Sequence, residues 1–124
     1  MENLEIEVTK YTPLIKLDLN GTISMTGKSY PENTFEFYEP VMQWMKEYFS
    51  TSAKDLTVVN IEITYFNSSS SKLFFDFFDL IEENSKENKI EINWIFDAEN
   101  ESAEEAGEDF IEDFENLNIK LVTK

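Results

Sequence analysis

Three separated segments alternate apolar and polar residues with a period of two, and this pattern constrains the fold more than any other feature of the chain. Leu14 to Asn20 sets Ile15, Leu17 and Leu19 on one face and Lys16 and Asp18 on the other. Thr57 to Phe66 sets Val59, Ile61, Ile63 and Tyr65 against Asn60, Glu62 and Thr64, and Lys89 to Phe96 groups Ile90, Ile92, Trp94 and Phe96. Each reads as a strand buried on one face only. A sheet buried on both sides would need near-continuous apolar strands, so the helices of this chain are expected to cover a single face.

The connections supply the helices. Asn20-Gly21 is a two-residue hairpin signal, so Ile23 and Met25 continue as an antiparallel second strand that Gly27 ends. Tyr38, Val41, Met42, Met45 and Phe49 form a stripe of period 3.6. The start of that helix is open between two readings: Asn33 with Glu36 fits a capping box, while Pro40 fits the first turn of a helix beginning near Glu39. Ser50 to Asp55 is a polar connection. A second helix carries Leu73, Phe74, Phe77, Leu80 and Ile81, and a third, Ser102 to Phe114, carries Ala103, Ala106, Phe110 and Phe114. Ile119 and Leu121 mark a short last strand. Trp44 and Trp94 lie within apolar stripes and are expected to pack in the core, as are Met42 and Met45. Strands joined by helices imply right-handed crossovers and parallel neighbours. The expected architecture is one two-layer α/β domain over residues 1–124, with a mixed sheet, helices on one face and an N-terminal β-hairpin.

Composition excludes much chemistry. The chain has no Cys and no His, and its ten basic residues are all Lys. Disulfides, thiolate metal sites, His-based triads and bidentate Arg clamps are therefore out of reach, and no cofactor is expected. The net charge of −16 repels a nucleic-acid backbone and an anionic membrane surface and complements a protein with a basic surface. No segment approaches the ~20 apolar residues of a membrane span, and no signal peptide is visible, so a cytoplasmic protein is expected. A carboxylate acid/base enzyme such as a glycosidase would need two facing acids in a cleft, and no pair falls on convergent core-facing positions.

Asn67 is followed by Ser68, Ser69, Ser70 and Ser71 between a strand end and a helix start. N-capping accounts for one or two of these. A functional reading accounts for the run: a helix N-terminus offers unpaired N–H groups and the positive end of the macrodipole, and so tolerates a phosphate.

Two segments, Gly27-Lys28-Ser29-Tyr30-Pro31-Glu32-Asn33-Thr34 before an aromatic-rich helix and Tyr65-Phe66-Asn67-Ser68-Ser69-Ser70-Ser71-Lys72, together resemble the SiaC family of bacterial regulatory phosphoproteins, and the resemblance covers nearly the whole chain. It implies a fold like that of STAS domains and anti-sigma-factor antagonists. It further implies a non-enzymatic switch protein served by a dedicated kinase and a PP2C-type phosphatase, which binds and activates a diguanylate cyclase when unphosphorylated and so feeds cyclic-di-GMP signalling and biofilm behaviour. The modified hydroxyl maps to Ser68, with Ser69, Ser70 and Ser71 as neighbouring candidates. Tyr30, Pro31, Glu32, Asn33, Tyr65, Asn67, Ser69 and Lys72 form the candidate partner surface. The alternative is a constitutive acidic interaction or scaffold domain without a phospho-switch. Asp97, Glu99 and Glu101 with Glu108 imitate part of a calcium loop, but Ser102 stands where that loop needs Gly. The Lys-free stretch from Asp97 to Glu115 reads first as a solvated helix face.

Overall fold

The computed structural model describes residues 1–124. Its elements are β1 (Leu4–Ile6), β2 (Leu14–Asp18), β3 (Thr22–Ser29), α1 (Thr34–Glu47), β4 (Thr57–Phe66), α2 (Ser68–Asn84), β5 (Ile90–Phe96), α3 (Glu101–Asp113) and β6 (Ile119–Thr123). The strands lie side by side in chain order, antiparallel from β1 to β3 and parallel from β3 to β6. Every crossover steps one strand in the same direction, so right-handed connections bring all three helices to one face. Burial follows that geometry. Ile15, Ile23, Met25, Val59, Ile61 and Ile92 are sealed beneath the helices. On the other face Lys16 and Thr26 are exposed, and Asn93 donates to Asn60 across β4 and β5 at 2.8 Å. The two-layer mixed sheet expected from the alternation is thus present, with β1 added at its edge.

Four local features depart from the sequence reading or complete it. Asp18 pairs with Thr22, so the hairpin loop is Leu19-Asn20-Gly21 rather than Asn20-Gly21 alone. Gly21 takes φ +102, and a Cβ there would stand 2.8 Å from Leu56 O; this is the glycine position that closes a three-residue hairpin loop. Asn33, not the region of Glu39, starts α1: its Oδ1 accepts from Glu36 N–H at 3.2 Å, and its amide donates to Glu36 Oε2 at 2.7 Å. Pro40 is tolerated in the second turn because the carbonyl it leaves free belongs to exposed Glu36. Beyond α1, Tyr48 to Ser52 form a single π-helical turn that keeps Tyr48 and Phe49 buried together.

The fourth feature changes which residues face the core. Gly27 pairs with Ile63 but Lys28 pairs with Tyr65, leaving Thr64 as an extra residue on β4. The bulge inverts the alternation. Tyr65, expected beside Val59, Ile61 and Ile63, is instead 54% exposed. Phe66 turns inward against Phe74 and Trp94, with ring centroids 5.5 and 6.3 Å away.

The helices reach the sheet through aromatic contacts, and α3 does so through a glycine. At Gly107 a Cβ would lie 2.6 Å from both Trp94 Cδ1 and Leu121 Cδ2. Trp94 has no room to yield, since its Nε1 donates to Ala103 O at 2.8 Å. Gly107→Val is therefore expected to lower the unfolding free energy in urea by about 2–3 kcal/mol through overpacking. Gly107→Ala should cost less, because about 1 kcal/mol of helix propensity offsets part of the clash.

Candidate functional site

The start of α2 is built by its cap. Asn67 is extended (φ −86, ψ 178), and its side chain accepts from Ser70 N–H at 2.9 Å. Its own N–H donates to Ser29 O at 3.1 Å, which ties the helix start to the end of β3. Two other helices use the same device. Asn33 caps α1, and Asn100 caps α3 by accepting from Ala103 N–H at 3.1 Å. Each Asn follows a strand end closely, so three positive helix ends face the same edge of the sheet.

The four serines then have four environments. Ser68, the first residue of α2, is exposed and its hydroxyl has no hydrogen bond within the chain. The Ser69 hydroxyl lies 2.7 Å from Thr34 Oγ1 and donates to Asn67 Oδ1 at 3.3 Å. Ser70 is 0% exposed, with its Oγ 2.8 Å from Ser29 Oγ. Ser71 is half-buried. Ser70 is therefore corrected from a neighbouring acceptor to a core residue of the folded chain. The signal was available in the sequence: Ser70 precedes Leu73, Phe74 and Phe77 by three, four and seven residues and so extends their inward stripe by one turn.

Behind Ser70 runs a chain of buried hydroxyls that sequence reasoning did not find. Ser29 Oγ lies 2.6 Å from Tyr38 OH and 2.8 Å from Ser70 Oγ, joining α1, β3 and α2 at one point. No buried side-chain polar atom is left without a partner, as the cost of an unpaired one requires. Burial pushes the Tyr38 hydroxyl up to about 12, against a smaller opposing effect of the Ser29 hydrogen bond. Its folded value lies above the ordinary tyrosine value near 10, so native Tyr38 keeps a proton that the unfolded chain releases. The stability it contributes is complete below pH 10 and is lost as pH rises toward about 12. Urea titrations should show stability falling by about 1.4 kcal/mol per pH unit across that window from this residue. Tyr38→Phe should remove that part of the slope and, by leaving Ser29 with one partner fewer, cost about 1 kcal/mol at neutral pH.

Two surfaces flank Ser68. On one side Tyr30 is the centre of an aromatic row, with its ring 5.3 Å from Tyr11 and 5.6 Å from Tyr65, both edge to face. Pro31 and Glu32 border a groove of about 580 Å³ beside Tyr11 and Tyr30. Of the expected partner residues, Tyr30 and Tyr65 are thus brought together, Tyr11 joins them unanticipated, and Asn33 and Asn67 are held by capping. On the other side a cleft of about 620 Å³ lies between α2 and α3. Ser68, Ser71 and Lys72 line one wall, and Glu105 and Asp109 line the facing wall. Lys72 also sits over the exposed Phe35 ring at 5.8 Å. The calcium-like stretch serves the backbone instead: Asp97 Oδ1 accepts from Glu99 N–H at 2.9 Å and Asn100 caps α3. No three acidic side chains converge to hold a metal, and no helix is long and apolar enough to cross a membrane.

The fold and this site define a small two-layer α/β regulatory domain that presents the exposed hydroxyl of Ser68 at a capped helix start. Residues 6–124 match the family described as SiaC family regulatory phosphoprotein, and the chain belongs to that family. It is similar to an uncharacterized protein of Pseudomonas aeruginosa (strain UCBPP-PA14), 35% identical over 115 residues that cover 91% of this chain and 90% of the relative. The crystal structure of apo-SiaC from Pseudomonas aeruginosa superposes with a TM-score of 0.91 at 30% identity, covering 99% of this chain and 100% of that one. A chain in the crystal structure of diguanylate cyclase SiaD in complex with its activator SiaC, from the same organism, matches at TM-score 0.91 and 31% identity, covering 98% of this chain and 99% of that one.

Proposed function

We propose that this chain is a non-enzymatic signalling protein that docks on a diguanylate cyclase in its unphosphorylated form and leaves it when Ser68 is phosphorylated. A kinase adds the phosphate, a PP2C-type phosphatase removes it, and all act in the cytoplasm. The observation that carries this reading is the free, exposed hydroxyl of Ser68 at the first position of α2. A phosphoserine there carries about −1.5 to −2 charge and meets the positive end of a helix, where anions are accommodated without disturbing the fold. The same charge alters the docking surface on both flanks. A tenfold loss of affinity takes only about 1.4 kcal/mol. The cyclase as partner is supported by the similarity to a chain in the complex of SiaD with its activator SiaC.

Intact-mass analysis of the protein from its native host should find phosphate in the peptide containing Ser68, under at least one growth state. In binding assays with the diguanylate cyclase of the same host, Ser68→Ala should bind as the unmodified chain does. Ser68→Asp should bind about tenfold more weakly or worse. Equal binding by both variants would favour a constitutive acidic scaffold instead.

A further inference from the structure

Four adjacent hydroxyls stand at the start of α2, yet the proposed switch needs a single acceptor, and only Ser68 and Ser69 are exposed, Ser71 being half-buried. Ser70 is removed by burial, with 0% exposure. Ser69 is not, because it lies on the surface beside Ser68. What distinguishes it is the pairing of its oxygen. Ser69 Oγ lies 2.7 Å from Thr34 Oγ1 and 3.3 Å from Asn67 Oδ1, so its hydroxyl is held between two neighbours, the shorter contact being the one to Thr34. Thr34 is fixed in position to make that bond, being the first residue of α1 and only 3% exposed.

We infer that Thr34 is the specificity-determining residue that directs modification to Ser68 rather than to Ser69; the inference rests on the phospho-switch proposed above. Phosphorylation transfers the terminal phosphoryl group of a nucleoside triphosphate to a seryl oxygen. A P–O bond to serine forms, the bond to the bridging oxygen breaks, a nucleoside diphosphate leaves, and the hydroxyl proton passes to a base on the kinase. The attacking oxygen needs a free lone pair and a proton that the base can reach. Ser68 Oγ offers both. Ser69 Oγ is held between Thr34 Oγ1 and Asn67 Oδ1, so those contacts must loosen before a kinase can bring its lone pair and its proton into line. The residue that decides between two chemically identical neighbours therefore lies on another helix, 35 positions away in the chain.

The test maps phosphate by tandem mass spectrometry on full-length protein expressed in its native host. Thr34→Val keeps the side-chain shape and removes the hydroxyl, and it should raise the Ser69-to-Ser68 phosphate ratio about tenfold. Thr34→Ser restores a hydroxyl and should return the ratio to that of the unsubstituted chain. Ser68→Ala should carry no phosphate on Ser69, whereas Ser68→Ala combined with Thr34→Val should gain it there with Ser70 still unmodified. Phosphate on Ser70 as well would mark a general loss of structure and overturn the inference. So would an unchanged Ser69-to-Ser68 ratio in Thr34→Val when the unsubstituted chain is phosphorylated at Ser68. Absence of phosphate from the unsubstituted chain under every growth state overturns the proposed function, and this inference with it.

Discussion

A sheet covered on one face only has one place to put its apolar side chains, and the rest of this structure depends on that constraint. The buried hydrophobic residues form a single cluster between the sheet and the three helices. Each helix is held by the stripe it presents to that layer; for α2 this is Leu73, Phe74, Phe77, Phe78 and Ile81. Once the stripe is buried, the helix start is fixed in space, because α2 begins two residues after the last residue of β4. The same holds for α1 and α3. Three Asn-capped helix starts therefore collect along the edge where parallel strands end, the edge at which open α/β sheets generally place their function.

That edge is stiffened by polar atoms placed where apolar ones would have sufficed for packing. Ser29 contacts Tyr38 and Ser70 through its hydroxyl and receives the Asn67 N–H on its carbonyl, so one residue joins the ends of β3 and β4 to two helices. The arrangement has high stakes. Satisfied, it adds a modest net stability; with one member removed, it leaves a buried group uncompensated. Its position two residues along α2 from the exposed Ser68 means that the start of this helix rests on a rigid base.

Much of this was legible in the chain. The alternation of Leu14 to Asp18, Thr57 to Ile63 and Ile90 to Phe96 fixed the layer arrangement, and the 3.6-residue stripes located all three helices. Strand β1 was not legible, since Leu4 to Ile6 is too short to establish a period. The start of α1 was undecided because Pro40 and Asn33 make competing local claims, and only the capping bonds of Asn33 settle it. At the site, the helix start and the exposure of Ser68 follow the expectation. Ser29, Thr34 and Tyr38 did not stand out, because hydrogen bonds between residues far apart in the chain leave no periodic trace. Tyr65 was placed on the wrong face because alternation carries no warning of an inserted residue.

The inserted residue, Thr64, has a consequence for how this chain tolerates change in length. Side-chain direction along a strand is a matter of odd and even positions. The extra residue resets that count at the last few positions of β4, sending one aromatic ring to solvent and the next into the core. Elsewhere in the fold a loop can shorten or lengthen with local effect. At this point the chain could lose Thr64 with both rings kept in place, since Tyr65 opposite Lys28 would then fall outward and Phe66 opposite Ser29 inward by plain alternation. The pairing with β3, rather than the number of residues in β4, therefore sets both what the surface shows and where the next helix begins.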